Sequence, residues 1–191
     1  MRRLTVFNSV SLDGYFSDRH GDMRWAHRQD AEWGAFVSEN ASGGGVLVFG
    51  RVTYDLMAGY WPTPAALQGN PGVAERMNSL PKIVFSRTLE RASWNNTRLI
   101  KGDLAAAVRQ LKREPGPDMV ILGSGSIVAQ LTDARLIDAY QVVLCAAVLG
   151  GGRTMFEGVK QKLDLTLKKS RTFGNGNVVL WYEPRASTTS A

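Results

Sequence analysis

The sequence contains one cysteine, Cys145, among its 191 residues, so no disulfide can form within the chain. It has no apolar run long enough to cross a membrane, because polar residues interrupt the apolar stretch that follows the basic start. No long block of like charges is present, and basic residues are not interleaved with aromatic ones. We therefore expect a cytoplasmic protein without a membrane or nucleic-acid partner.

Histidine is also scarce, and neither His20 nor His27 belongs to a cluster with metal-ligand spacing, so we expect no metal. The composition is that of a globular protein, with 44% hydrophobic and 21% charged residues. The 23 basic and 17 acidic residues give a net charge of +6, which we interpret as solvated surface. The length predicts one domain over residues 1–184, followed by a disordered tail over residues 185–191.

Strands and helices alternate along the chain, as in proteins with a mainly parallel sheet. Apolar and β-branched runs predict strands over residues 4–12, 46–49, 82–86, 119–122, 140–149, 165–173 and 178–182. Helical spacing of apolar residues predicts a helix over residues 25–40, and Asp103 is a suitable N-cap for another. Proline and glycine predict a long surface connection over residues 62–72. The Asn175-Gly176 pair predicts a closing hairpin, so we expect an α/β fold with an antiparallel edge.

Three predicted strand ends carry glycine, hydroxyl or arginine residues of the kind that bind anions. The first consists of Gly50, Arg51, Val52 and Thr53, the second of Gly123, Ser124, Gly125, Ser126 and Ile127, and the third of Ser86 and Arg87. Glycine lets a phosphate approach the backbone, and amides at a helix N-terminus attract it. Each segment alone is equally typical of an ordinary polar turn, and Val128 stands where a dinucleotide fingerprint has its third glycine. Together they favour one anion-binding edge, because ligands of open α/β sheets bind at the carboxyl ends of strands.

An ordered set of motifs spans nearly the whole chain: SLDGYF at residues 11–16, FGRVTY at 49–54, YWP at 60–62, KIVFSRT at 82–88, LGSG at 122–125, LID at 136–138, VLGGG at 148–152 and MF at 155–156. In this order the motifs resemble the RibD C-terminal domain family, which comprises the dihydrofolate-reductase-like reductases of riboflavin biosynthesis and their stand-alone relatives. The resemblance implies a dihydrofolate-reductase-like three-layer fold, NADPH as the hydride donor and a homodimer.

The resemblance also implies roles for individual residues. The first two strand-end segments would hold the pyrophosphate region, Ser86 and Arg87 would bind the adenosine 2′-phosphate, and Asp13 would lie near the nicotinamide and the substrate. Two positions depart from the family's pattern, since Ala139 stands where glutamate is usual and Ala146 where proline is frequent. Both departures bear on local dimer or substrate geometry more than on cofactor binding. The sequence has neither signature of the zinc deaminase domain that is fused to many riboflavin reductases.

Two carboxylates are candidate catalytic residues. Asp13 follows the first predicted strand and would face the cleft, where a carboxylate can bind an amino-pyrimidine or pterin-like ring or supply a proton. Asp30 lies three residues before Trp33, in a spacing that resembles the helix with the proton-relaying aspartate of dihydrofolate reductases. The alternative for Asp13 is a turn-forming residue before Gly14, and for Asp30 it is a solvated helix face.

Trp25, Tyr54 and Trp61 are candidates for contact with a planar substrate, and the backbone of Gly151 is a candidate for close approach to the nicotinamide. Aromatic residues at such positions are also typical of a core, and a glycine run can simply turn the chain. Cys145 lies in the middle of a predicted strand, where we interpret it as a small buried apolar residue.

These observations predict an NADPH-dependent reductase of a small heterocyclic substrate. Its most specific form resembles the 5-amino-6-(5-phosphoribosylamino)uracil reductase of riboflavin biosynthesis. A reductase of another pterin-like or unidentified metabolite would keep the same fold and cofactor. A non-catalytic NADP-binding module is the alternative from a different functional class, and it would bind NADPH without consuming it.

Overall fold

The computed structural model describes residues 1–27 and 30–185, so the predicted tail beyond Arg185 lies outside the described residues. Ten strands are present in this part of the chain: β1 (Leu4–Ser11), β2 (Tyr15–Ser17), β3 (Val46–Gly50), β4 (Lys82–Phe85), β5 (Thr97–Ile100), β6 (Met119–Ile121), β7 (Ala139–Cys145), β8 (Arg153–Thr154), β9 (Leu165–Thr172) and β10 (Val178–Pro184). Eight of them form one sheet in the order β5-β4-β3-β6-β1-β7-β10-β9, and β2 pairs with β8 in a small second sheet.

The main sheet is parallel from β5 to β7, and β10 and β9 are antiparallel at its far edge. The predicted mainly parallel sheet with a closing antiparallel hairpin is therefore confirmed. A parallel sheet has all its carboxyl ends on one edge, and five neighbouring strands (β4, β3, β6, β1 and β7) end there in segments with polar or glycine residues. This edge determines where the candidate site lies.

Helices cover both faces of the sheet, which gives three layers. They are α1 (Ala31–Ser42), α2 (Arg51–Tyr60), α3 (Pro64–Gly69), α4 (Pro71–Ser79), α5 (Leu104–Arg113) and α6 (Gly125–Asp133), together with one 3-10 turn, Arg24–Ala26. Apolar residues of α5 and α6 pack on one face, and those of α1, α2 and α4 pack on the other. No helix in the described part of the chain is long and apolar enough to span a membrane.

The strand β3 shows why central strands have continuous apolar sequences. Val46 and Val48 face the cluster under α5 and α6, whereas Leu47 and Phe49 face the cluster under α2 and α4. Since successive side chains of a strand point to opposite faces, burial on both faces requires apolar residues at every position. The predicted strands in the middle of the sheet follow this pattern.

Two sequence predictions about local structure are wrong. Residues 62–72 form no long surface connection, because Thr63 caps α3 and the prolines Pro64 and Pro71 occupy first helical positions, where the missing N–H costs nothing. The helix predicted from residue 25 begins only at Ala31, because the Asp30 carboxylate accepts the Trp33 amide as an N-cap.

A buried lysine organises the amino end of β4. The Lys82 ammonium donates to the backbone carbonyls of Asn78, Leu80 and Asn95 at 3.0, 2.8 and 3.1 Å, and it lies 4.4 Å from the centroid of the Trp94 ring. The side chain is 1% exposed, and burial lowers its pKa to about 8. Its three backbone acceptors lie on the α4–β4 turn and on the segment before β5, so this one side chain joins both segments to the sheet.

Lys82→Met is expected to lower the free energy of unfolding by about 1–3 kcal/mol, because the three carbonyls lose their donor. The unfolded amine keeps its proton up to about pH 10.4, whereas the folded one loses it from about pH 8. Between these values the unfolded chain binds more protons, so Lys82 makes the stability of the wild type rise with pH.

Urea unfolding at several pH values from 7 to about 10.5 measures both effects. Lys169→Met is the control, since Lys169 is exposed and lies 4.9 Å over the Trp181 ring. Parallel pH profiles for the wild type and Lys82→Met would show that Lys82 does not titrate in this interval.

Candidate active site

The three predicted anion-binding segments come together at the carboxyl edge of the sheet. They follow β4, β3 and β6, which are adjacent and parallel. The next two strands along the edge, β1 and β7, end in the loops that contain Asp13 and Gly151. The expectation that these residues share one edge therefore agrees with the strand order.

The turns after β3 and β6 interlock. The Gly50 amide donates to the Gly123 carbonyl at 3.1 Å, and the Gly123–Ser124 peptide bond is cis. A Cβ atom on Gly50 would lie 2.0 Å from the Ser124 Oγ, and one on Gly123 would lie 2.8 Å from the Thr53 Oγ1. The sequence pattern predicts that these glycines let a phosphate approach the backbone. In the structure they instead leave room for side chains of the opposite turn.

The helices α2 and α6 begin where these two turns contact each other. Gly50 is the N-cap of α2 and Ser124 is the N-cap of α6, and neither provides a side-chain capping hydrogen bond. The first-turn amides of a helix have no intrahelical acceptors, so each N-terminus carries a partial positive charge that attracts anions. The Arg51 guanidinium lies beside them and pairs with Asp55 at 3.1 Å. A phosphate group suits this donor set.

Not every residue of these segments can donate a hydrogen bond to an anion from its side chain. The Ile127 side chain is buried in the core and its amide donates to the Ser124 carbonyl at 3.2 Å, so the structure does not bring Ile127 into the site. Thr53 is buried against Gly123, whereas Val52 and Ser126 are exposed. The binding capacity of these segments therefore lies mainly in their backbone amides.

The third segment carries a free cation. The Ser86 Oγ accepts from the amides of Leu89 and Thr88 at 2.9 and 3.2 Å, and it lies 3.5 Å from the Thr88 hydroxyl oxygen. Arg87 is exposed, and within residues 1–27 and 30–185 its guanidinium has no hydrogen bond or ion pair. This pair fits a phosphate monoester at the end of β4.

Asp13 joins the ends of β1 and β7. Its carboxylate accepts the Ser11 hydroxyl at 2.6 Å, the Gly150 amide at 2.7 Å and the Leu149 amide at 3.1 Å. The Ser11 hydroxyl, followed by the Gly150 and Leu149 amides, lowers the pKa of Asp13 below its ordinary value. A carboxylate with these donors is ionised at neutral pH. In this arrangement Asp13 accepts hydrogen bonds from the 149–150 backbone and positions that loop. Its catalytic role stays a prediction.

The glycine run after β7 is held from a second side. The Arg19 guanidinium donates to the Gly150 carbonyl at 2.8 Å and fills the space beside Gly151, where a Cβ would lie 2.3 Å from the Arg19 Nε. A Cβ on Gly152 would lie 1.9 Å from the Ser17 carbonyl oxygen. Gly151 is thus closed off by Arg19 on its Cβ side. Sequence reasoning missed Arg19, because no local pattern marks a contact with a loop more than one hundred residues away.

The small sheet of β2 and β8 continues from this loop to the N-terminus of α6. A Cβ on Gly125 would lie 2.8 Å from the Phe16 ring and 3.4 Å from the Thr154 carbonyl oxygen. The loop that Asp13 holds is therefore packed, through β2 and β8, onto the helix end that provides amides for an anion.

Of the three aromatic candidates, Tyr54 and Trp61 lie away from this edge. Tyr54 is 1% exposed, and its hydroxyl accepts the Trp94 amide at 2.8 Å, so it belongs to the core. Trp61 follows the far end of α2, about 15 Å along a ten-residue helix from the strand end, where it packs with apolar residues and donates to the Met57 Sδ at 3.1 Å. Neither can line a substrate at this edge. Trp25 is half-buried in the α1-side cluster and donates to the Asp22 carbonyl at 3.0 Å.

Asp30 has a structural role that the sequence analysis did not assign to it. Its Oδ1 accepts the Trp33 amide at 2.7 Å as the N-cap of α1. The helix that follows covers the cluster containing Trp25, Phe173 and Cys145, and Cys145 is buried as expected. In the described part of the chain no group of three or more histidine, cysteine or acidic residues could hold a metal ion.

Comparisons with known proteins agree with the predicted fold. The family model of the RibD C-terminal domain matches residues 2–179. The Bacillus subtilis (strain 168) protein YyaP, itself uncharacterized, is 28% identical over 182 residues, which are 95% of this chain and 94% of YyaP.

Two solved structures share the architecture. A Shewanella sp. PV-4 protein assigned to riboflavin biosynthesis aligns with a TM-score of 0.74 and 23% identity, over 96% of this chain and 99% of that one. Dihydrofolate reductase from Enterococcus faecalis, in complex with NADP(H), aligns with a TM-score of 0.60 and 13% identity, over 96% and 97% of the two chains. At these identities the likeness establishes the fold, and the expected dihydrofolate-reductase-like fold is confirmed.

Gly152→Ala is expected to lower the free energy of unfolding by about 3 kcal/mol, because the new Cβ meets the Ser17 carbonyl and the residue has a φ of +147°. Gly59→Ala is the control, since no atom lies within 4 Å of its Cβ position and α2 is helical there. That variant is expected to gain about 0.5–1 kcal/mol. Urea unfolding of both variants measures the difference, and similar stabilities would show that the glycine loop is not packed as described.

Proposed function

The chain belongs to the RibD C-terminal domain family, and from this premise we propose that it is an NADPH-dependent reductase of a small heterocyclic compound. In its most specific form the substrate is 5-amino-6-(5-phosphoribosylamino)uracil, the pyrimidine reduced in riboflavin biosynthesis. The likeness to a riboflavin-biosynthesis protein and to a reductase in complex with NADP(H) supports this choice. We also propose that the protein is cytoplasmic and a homodimer, as the family resemblance implies.

One observation carries the proposal: three separate anion-binding groups stand side by side at the ends of β4, β3 and β6. They are the free Arg87 guanidinium and the uncapped N-termini of α2 and α6. Adjacent strands are about 4.8 Å apart, so the groups are spread over roughly 10 Å. NADPH carries a pyrophosphate and a separate 2′-phosphate. The donor set therefore fits a ligand of this kind.

When bound, NADPH supplies a hydride. The amides that open α2 and α6 would hold its pyrophosphate, while Ser86 and Arg87 would hold the 2′-phosphate. Asp13 holds the backbone at Leu149 and Gly150 and so shapes the part of the edge beyond α6, where the substrate would lie. Its lowered pKa leaves Asp13 as an acceptor, so a proton for the substrate would come from another group or from water.

Thermal unfolding with and without NADPH tests the cofactor assignment. A ligand at 100 times its dissociation constant stabilises the folded state by about 2.7 kcal/mol if it binds only that state. A clear upward shift with NADPH and a smaller one with NADH is expected, and no shift with either would contradict the assignment. Consumption of NADPH with the pyrimidine then separates a reductase from a protein that only binds the cofactor.

Arg87→Ala is expected to weaken NADPH binding about 10- to 100-fold while leaving NADH binding nearly unchanged, because a charged hydrogen bond to the 2′-phosphate is lost. Isothermal titration with both cofactors measures this. Arg91→Ala is the control, since Arg91 is an exposed arginine in the same loop. An equal loss for NADPH and NADH would remove Arg87 from the 2′-phosphate site.

Asp13→Asn is expected to lower turnover roughly 100-fold while NADPH still binds. An asparagine can no longer accept the Ser11, Leu149 and Gly150 donors with two anionic oxygens, so the loop shifts. Steady-state kinetics measures the change in turnover, and titration with NADPH measures cofactor binding. Asp103→Asn is the control, because asparagine also caps a helix and α5 lies outside the site. An unchanged rate would show that Asp13 has no role in the reaction.

A further inference from the structure

A buried carboxamide without partners lies beside the proposed substrate region. Asn177 is 0% exposed, and within residues 1–27 and 30–185 its side-chain Nδ2 and Oδ1 are the only buried side-chain polar atoms without a hydrogen-bond partner. Its backbone is satisfied, since the amide donates to the Asn175 Oδ1 at 3.0 Å and the carbonyl accepts the Phe173 amide at 2.9 Å. Burial of an unpaired amide opposes folding. No hydrogen bond within the described part of the fold explains why this carboxamide is buried.

Another carboxamide on the same side of the sheet shows the ordinary arrangement, in which a buried amide has a hydrogen-bond partner. Gln141 of β7 is also buried, and its Nε2 donates to the Asn40 Oδ1 of α1 at 3.2 Å. The two amides share the α1-facing side, because Gln141 is in step with Val143 and Asn177 with Val179, which both belong to that cluster. One amide stabilises the fold, and the other retains its hydrogen-bonding capacity.

The position of Asn177 places it at the candidate site. It precedes Val178, which pairs with Leu144, so it stands opposite the end of β7. The end of β7 in turn pairs with Ser11 of β1, whose hydroxyl donates to Asp13. Ser11 and Asn177 thus lie on either side of the end of β7. Two strand spacings separate them, which is roughly 10 Å.

Two exposed apolar side chains also lie at this edge of the sheet. Leu12 and Val148 are 64% and 69% exposed, and both lie on the loops that Asp13 holds. The Leu12 amide donates to the Ala147 carbonyl at 2.8 Å, which keeps the two loops together. Exposed apolar side chains on these loops suit the apolar faces of a planar ring.

We propose that Asn177 is a specificity-determining residue whose carboxamide pairs with the lactam edge of the substrate ring. A carboxamide presents a donor and an acceptor side by side, and a ring segment with adjacent C=O and N–H presents the complementary pair. The ligand class is a pyrimidinone or a related lactam heterocycle. This inference rests on the proposed function and adds the residue that recognises the lactam edge of its substrate.

Because Asn177 is fully buried, a substrate ring can reach its carboxamide only if the residues that cover it move. The 3-10 turn Arg24–Ala26 is the smallest element on this cluster, and it has no side-chain capping hydrogen bond. Ala26 packs there with Phe173. Asp22 accepts hydrogen bonds from the Arg24 amide, the Arg24 guanidinium and the Trp25 Nε1, so the turn is bonded to a residue just before it and can move as one local unit. We expect the turn to shift when a ring binds.

A ligand-by-residue cycle tests the proposal. The probes are 5,6-diaminouracil and 5,6-diamino-1,3-dimethyluracil, which differ in that methyl groups replace both ring N–H donors. Titration of the NADPH-saturated protein is expected to show about tenfold tighter binding of the unmethylated ring to the wild type. In Asn177→Leu this preference should vanish, because leucine has a similar volume and no polar atoms.

Gln141→Leu is the matched control, and stability provides the second readout. Gln141→Leu should unfold at a lower temperature than the wild type and keep the ligand preference, since it breaks a formed hydrogen bond. Asn177→Leu should be at least as stable as the wild type, because it removes an unpaired amide. If Asn177→Leu keeps the ligand preference, or is destabilised like Gln141→Leu, the carboxamide is structural and the proposal fails.

A lack of diaminouracil binding to the wild type would also overturn the proposal. The proposed function is judged separately by the shift in unfolding temperature with NADPH. A protein that responds to NADPH but ignores the lactam edge would remain a candidate reductase with another class of substrate.

Discussion

The turns that follow β3 and β6 approach each other so closely that neither Gly50 nor Gly123 has room for a side chain. Ser124 fills the space beside one glycine and Thr53 fills the space beside the other. The rest of the candidate site depends on this contact, because it brings the N-termini of α2 and α6 to the same point of the sheet edge. Two helix ends at one point attract an anion more strongly than either end alone.

The neighbouring part of the edge is held by ionised groups as well as by close backbone packing of Gly152 on the Ser17 carbonyl. The Asp13 carboxylate accepts two backbone amides of the 149–150 loop, while Arg19 donates to its carbonyl at Gly150. A loop held between an acceptor and a donor has its backbone direction fixed. Because β2 and β8 connect this loop to the start of α6, the proposed substrate side and the candidate anion-binding side of the edge form one packed unit.

Much of the fold was predictable from local pattern. Continuous apolar runs marked β3, β4 and β6, and the Asn175-Gly176 pair marked the hairpin, because burial on both faces and a tight turn each demand particular residues. The strand β5 was missed, since its four residues are half-exposed and show no clear alternation. The start of α1 was misplaced because Trp25 and Ala26 are apolar and pack in the same cluster as α1, although they belong to a separate 3-10 turn.

The sequence by itself determined seven of the eight strands of the main sheet and which strand ends have residues suited to anions, since both follow from residues that are neighbours along the chain. Only the tertiary structure decided that β4, β3 and β6 lie side by side. It also decided that Tyr54 serves the core and that Asp13 accepts hydrogen bonds from the 149–150 loop. It alone left the Asn177 amide without a partner in the described part of the chain. Strand order, burial and hydrogen-bond partners arise from contacts between distant residues, which no local pattern records.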